Sequence, residues 1–151
     1  MKRQYDGVLF DLDGTLVDTA PDIHAAVEVM MTALGRPSPT LPEVTGFIGN
    51  GVERLVTRCL DHTGGSTPAL VAEGLAVFKP AYSAAPAVLS RPYPDIARLL
   101  DKLMQRGLRR GVCTNKPQDM ADDLLRQTGL SPLLDTVLGA GTAALKPDPA
   151  P

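Results

Sequence analysis

The sequence predicts an α/β protein: a parallel sheet whose first strand is followed by an all-helical insertion. Three observations carry this. The continuous apolar run from Gly7 to Phe10 reads as a parallel strand covered on both sides. Positions 16–85 then hold almost nothing but helical periodicity. Beyond residue 86 helix and strand patterns alternate, as in a sheet built through crossover helices. The expected organisation is a discontinuous core, residues 1–15 with 86–151, and an inserted helical unit at 16–85.

Each element has its own signal. The first strand ends at the Asp13-Gly14 turn. From Pro21, residues Ile23, Ala26, Val27, Met30, Met31 and Leu34 recur at helical spacing until Gly35 stops the helix. The two methionines read as core filler, and His24, off that stripe, as a solvated side chain. "RPSPTLPE" reads as a loop. A second helix carries Val52, Leu55, Val56, Cys59 and Leu60, and a third, capped by Thr67 and Pro68, carries Val71, Leu75, Phe78 and Tyr82. Next come a helix with Ile96, Leu99, Leu100, Leu103 and Met104, stopped by Gly107, and a strand at Leu108–Cys113. A helix from Pro117 to Gly129, a short strand at Thr136–Leu138 and the loop "KPDPAP" complete the chain.

Composition narrows the function. At 151 residues and 44% hydrophobic the chain can bury a sizeable core. Fifteen basic against seventeen acidic residues, a net charge of -2, argue against nucleic acid or an anionic membrane as partner. No segment approaches the ~20 apolar residues that span a bilayer, and Asp6 interrupts any signal-peptide pattern, so a cytoplasmic location is expected. Cys59 and Cys113 lack metal-ligand spacing and read as buried free thiols. Arg109 and Arg110 read as a solvated strand start.

Ligands of open α/β sheets bind at the carboxyl ends of the strands. Three polar sites fall there: Asp11 with Asp13, Thr114 with Asn115, and the loop of Lys146. A calcium loop is excluded for "DLDGT", because the glycine comes fourth rather than sixth. An ordinary Asp-Gly turn remains open on spacing alone. Against it stands the repulsion of two carboxylates at the mouth of an apolar strand, which a hard cation such as Mg²⁺ relieves. With a phosphorylated substrate the other sites acquire roles. Thr114 and Asn115 precede a helix start that favours an anion, and Lys146 adds positive charge. Asp11 can attack phosphorus while Asp13 protonates the leaving oxygen and later activates water.

"FDLDGTLVDT", "CTNKP" and "LKPDP" together resemble the motifs of the haloacid dehalogenase-like phosphatases. "VDTAPD", "GFIGNGVERLV", "RPYPDI" and "GVCTNKP" resemble the phosphoglycolate phosphatase branch of that superfamily. The resemblance covers essentially the whole chain. It implies a Rossmann-like core with a helical cap, and hydrolysis of a small phosphorylated metabolite, 2-phosphoglycolate above others. It implies Asp11 as the aspartyl-phosphate nucleophile, Asp13 as general acid/base, and Mg²⁺ held by the Asp11 carboxylate and the Asp13 backbone carbonyl. Thr114 and Lys146 match the phosphate-orienting residues, with Asn115 beside them. In the cap stretch, Asn50 and Arg54 occupy the place where the family meets its substrate. Arg54 reads equally as a partner for a substrate carboxylate and as a solvated helix residue. A phosphosugar mutase of the same superfamily is the alternative enzyme, and a non-catalytic phosphate-binding fragment the alternative of another class.

The family continues past its third motif into a strand ending in an acidic "GD" motif, and no acidic cluster follows Lys146 here. The resemblance therefore implies an incomplete core. Weak metal binding, little activity of this chain alone, and an exposed Gly7–Phe10 edge prone to self-association are the expectations.

Overall fold

A computed structural model describes residues 5–142 and 144–149. The chain divides into two compact units, one formed by residues up to Asp18 together with those from Arg91 onward, the other by Thr19–Ser90. The divisions lie three and five residues beyond the expected 15/16 and 85/86. A short antiparallel pair accounts for this: β2 (Val17–Asp18) bonds to β3 (Arg91–Pro92), which keeps both segments with the sheet unit. Residues 16–85 are thus not wholly helical.

In the sheet unit, β1 (Gly7–Phe10), β4 (Arg109–Pro117) and β5 (Thr136–Ala140) form a parallel sheet in the order β1-β4-β5. Gly7 to Phe10 register against Arg109 to Val112, and Gly111 to Cys113 against Thr136 to Leu138. β4 and β5 run farther than the sequence pattern suggests. Between Cys113 and Pro117 the register shifts, so polar residues continue the extended chain where apolar alternation has stopped. The strands connect through α5 (Ile96–Gln105) and α6 (Gln118–Gln127). Both crossovers step the same way across the sheet, so right-handed connections place both helices on one face.

The other face is open among the described residues. Leu9, Gly111 and Thr136 are neighbours in register and share that face; Leu9 is 70% exposed, and a groove of about 180 Å³ crosses the strands beside it. In the strand order β1-β4-β5, β1 stands at the edge among the described residues, as expected, and its Leu9 face is not covered, contrary to the reading of a strand covered on both sides. The apolar stripe of α5 is also only partly covered: Leu100 is buried, while Leu99 and Met104 are exposed.

Arg110 corrects the reading of a solvated basic pair. It is buried, and its Nε and Nη2 donate to the two carboxylate oxygens of Asp135 at 3.0 and 2.8 Å. This fork holds the Asp135 carboxyl below the usual carboxylate range.

The inserted unit is built from α1 (Ala20–Ala33), α2 (Leu41–Phe47), α3 (Val52–His62) and α4 (Pro68–Ala84). α2 lies where the prolines suggest a loop. Pro42 falls in its first turn, where no NH is needed, and Glu43 Oε2 accepts from Thr40 N and Oγ1, both at 2.7 Å. Ile23, Val27, Met30, Met31, Val56, Cys59, Leu60, Phe78 and Tyr82 are buried. Gly74 lets α4 come close, since a Cβ there would stand 2.9 Å from Val56 Cγ1 and 3.2 Å from Met30 Sδ. Val71 and Leu75 are only half-buried. Cys113, expected as a buried thiol, is likewise half-buried. His24 is not solvated: half-buried, its Nε2 lies 3.0 Å from the Pro39 carbonyl oxygen.

One buried carboxylate joins the two ends of this unit. Asp22, 4% exposed, accepts from Leu89 N at 3.0 Å and from Ser90 N and Ser90 Oγ at 2.6 Å each. No helix among the described residues is long and apolar enough to cross a membrane.

Candidate active site

Two loops at the carboxyl ends of β1 and β4, with a third after β5, build the site within the sheet unit. After β1 the chain turns back at once. The Leu12 carbonyl accepts from Thr15 N, Leu16 N and Val17 N at 3.2, 3.0 and 3.2 Å, and Gly14 N donates to Val17 O at 2.9 Å. Gly14 has φ +76°, a left-handed conformation in which a Cβ would be strained. This return confines Asp11 and Asp13 to one short arc, both half-buried.

Each carboxylate meets a lysine from far along the chain. Asp11 Oδ1 accepts from Leu12 N at 2.8 Å and from Lys146 Nζ at 2.9 Å. Asp13 Oδ1 accepts from Lys116 Nζ at 2.9 Å. The second pair is the more enclosed, its side chains 4% exposed on Lys116 and 13% on Asp13. Two ammonium groups offset two carboxylates, so an incoming polyanion does not meet a net negative site.

The irregular end of β4 supplies the remaining groups. Thr114, Asn115 and Lys116 are all buried. Thr114 Oγ1 accepts from Lys116 N at 3.1 Å. The Asn115 amide spans the backbone of Lys146, with Nδ2 donating to Lys146 O at 3.1 Å and Oδ1 accepting from Lys146 N at 2.8 Å. Gly139 permits this packing: a Cβ on it would fall 2.6 Å from Gln118 Cα and 2.9 Å from Lys116 O. Its NH donates to Gln118 Oε1 at 2.6 Å.

Asp11, Asp13, Thr114, Asn115 and Lys146 are thus gathered in one unit. Lys116 is the member that sequence reasoning missed. Its only signal is a lysine placed two residues after Thr114 and immediately before Pro117, where a solvated loop charge reads the same way. Asn50 and Arg54 belong to the inserted unit and are exposed. With its amide oxygen toward Arg58, Asn50 accepts from Arg58 Nη2 at 2.9 Å.

Among the described residues no group of three His, Cys, Asp or Glu side chains is placed to hold a metal ion. The donors present are nevertheless hard oxygens, and an ion such as Mg²⁺ is commonly held by one or two carboxylates and its own waters. Asp11 and Asp13 fit that requirement in donor type.

Residues 5–151 match the haloacid dehalogenase-like hydrolase family. A phosphoglycolate phosphatase of Cereibacter sphaeroides (strain ATCC 17029 / ATH 2.4.9) is 45% identical over 147 residues, covering 96% of this chain and 67% of the relative. One from Thiobacillus denitrificans is 40% identical over 147 residues, covering 95% and 65%. The crystal structure of a predicted phosphoglycolate phosphatase from Haemophilus somnus superposes with a TM-score of 0.90 at 27% identity, covering 97% of this chain and 68% of that one. The chain spans about two thirds of the length of these relatives.

Proposed function

Because this chain belongs to the haloacid dehalogenase-like hydrolase family, we propose that it is a phosphatase that hydrolyses 2-phosphoglycolate to glycolate and phosphate through a phosphorylated Asp11. The observation that carries the reading is the convergence of Asp11, Asp13, Thr114, Lys116 and Lys146 at the strand ends of one sheet. The phosphoglycolate phosphatases named above support the substrate, and nothing in them favours phosphoryl transfer between sugar hydroxyls.

Lys146 and the Thr114 hydroxyl hold the phosphoryl oxygens, and the free Asp11 oxygen attacks phosphorus. The bond from phosphorus to the glycolate oxygen breaks, and that oxygen takes a proton from Asp13. Asp13 then removes a proton from water, whose oxygen attacks the phosphorus of the acyl phosphate and releases Asp11 and inorganic phosphate. The family's phosphatases generally use Mg²⁺; here the Asp11 carboxylate and the Asp13 carbonyl would hold it, and when bound it neutralises charge on the phosphoryl group. Lys116 keeps the Asp13 carboxylate oriented. Arg54, exposed on α3, is the candidate partner for the substrate carboxylate, and Asn50, also exposed, is the second candidate of the inserted unit.

The test is phosphate release from a panel of phosphate esters with Mg²⁺ present, by a version of the chain extended to the length of its relatives. Preference for 2-phosphoglycolate and loss of turnover in Asp11→Asn are expected. Unchanged turnover in Asp11→Asn would remove the nucleophile assignment, and equal turnover of many sugar phosphates would remove the substrate.

A further inference from the structure

We infer that Asn115 is a positioning residue that acts through Lys146, clamping its peptide so that the ammonium is aimed at Asp11. The inference deepens the proposed function and rests on its reading of Lys146 as a phosphate-holding group.

Asn115 sits in the phosphate loop of the sequence, yet its amide is turned onto the loop that carries Lys146. Both polar atoms are used on one residue: Oδ1 takes the NH of Lys146 at 2.8 Å, and Nδ2 gives to its carbonyl at 3.1 Å. A single bond would leave the Lys146 backbone free to swing about it, whereas two bonds to the same residue fix both position and orientation. Among side chains of this length only an amide provides a donor and an acceptor side by side. Asn115 is 7% exposed, so water has little access to its amide and an unmatched amide there would be costly.

Lys146 needs such support. It lies beyond the end of β5 in a stretch without helix or strand, and its side chain is 33% exposed. A lysine stem is long and flexible, so the head group stays near Asp11 only if its base is held. The adjacent residues of β4 hold the rest of the site in the same way, Thr114 through the Lys116 NH and Asp13 through the Lys116 ammonium. Two consecutive residues, Asn115 and Lys116, thereby fix three parts of the site: Lys146, Thr114 and Asp13.

The test is a double-mutant cycle of Asn115→Ala and Lys146→Ala, read in kcat and KM for 2-phosphoglycolate and in calorimetric affinity for inorganic phosphate. Asn115→Ala should lower kcat by about tenfold or more, the scale expected when a reacting group is misplaced. It should also weaken phosphate binding, and both effects should shrink to less than about twofold once Lys146 is already alanine. Equal losses in both backgrounds, or no loss in the parent, would overturn the positioning role while leaving the site reading intact. Unchanged activity and phosphate affinity in Lys146→Ala would overturn the site reading, and the clamp with it. Thermal unfolding reports whether Asn115→Ala folds. Asn115→Leu, which keeps the branched shape of the side chain, loses both bonds to Lys146 and adds no charge, provides a cycle of the same form. Additivity of Asn115→Leu with Lys146→Ala would equally overturn the proposal.

Discussion

Lys116 Nζ lies 2.9 Å from Asp13 Oδ1, joining residues 103 positions apart in the most enclosed ion pair of the site. Lys116→Met would keep most of the stem and remove the charge, leaving Asp13 to face Asp11 uncompensated. Breaking a buried pair costs about 3 kcal/mol of stability. A fall in kcat of about 10²-fold is expected as well, the scale for loss of one preorganised electrostatic group. Lys116→Arg should restore part of both. Steady-state kinetics with thermal unfolding checks this, and a methionine variant of full activity contradicts it.

Asp22 closes the inserted unit by accepting three donors from Leu89 and Ser90. Asp22→Ala would remove the acceptor of these three bonds, two of them to buried Ser90, so a loss of about 3 kcal/mol in urea unfolding is expected. A variant within about 0.5 kcal/mol of the parent, the range of an ordinary surface change, would show that water replaces the carboxylate freely.

Burial pushes the Cys59 thiol up to about 12. In the unfolded chain a thiol titrates near about 8.5, so between about 8.5 and about 12 the native state keeps a proton that the unfolded state has lost. Stability should therefore fall as pH rises through that window. Urea midpoints measured from neutral to alkaline pH should show a steeper decline for the parent than for Cys59→Ala. In the native protein half-buried Cys113 should react with a thiol reagent before buried Cys59 does.

Leu9 stands 70% exposed on the edge strand β1, beside the open groove over Gly111 and Thr136. Self-association through this edge is expected at micromolar concentration. Leu9→Lys should shift sedimentation towards the monomer by placing a charge at the edge. A parent protein that sediments as a monomer across that range would count against it.

The sequence by itself determined the alternation of strands and helices, the helical insertion, and the carboxylate pair after the first strand. Each is written in local pattern: the apolar run of Gly7–Phe10, the stripe from Ile23 to Leu34, the turn at Asp13-Gly14. Tertiary structure decided what depends on residues far apart. α2 is the exception, a local signal passed over: its prolines suit a loop and a first helical turn equally, and the Thr40-to-Glu43 capping spacing that distinguishes them is written in the sequence. Arg110 reads as a surface charge until Asp135 is placed beside it across β4 and β5. Lys116 and Lys146 are one charge each in the sequence. Which carboxylate each one meets follows from the parallel register of β1, β4 and β5, and a register is a relation between strands that no single stretch of chain contains.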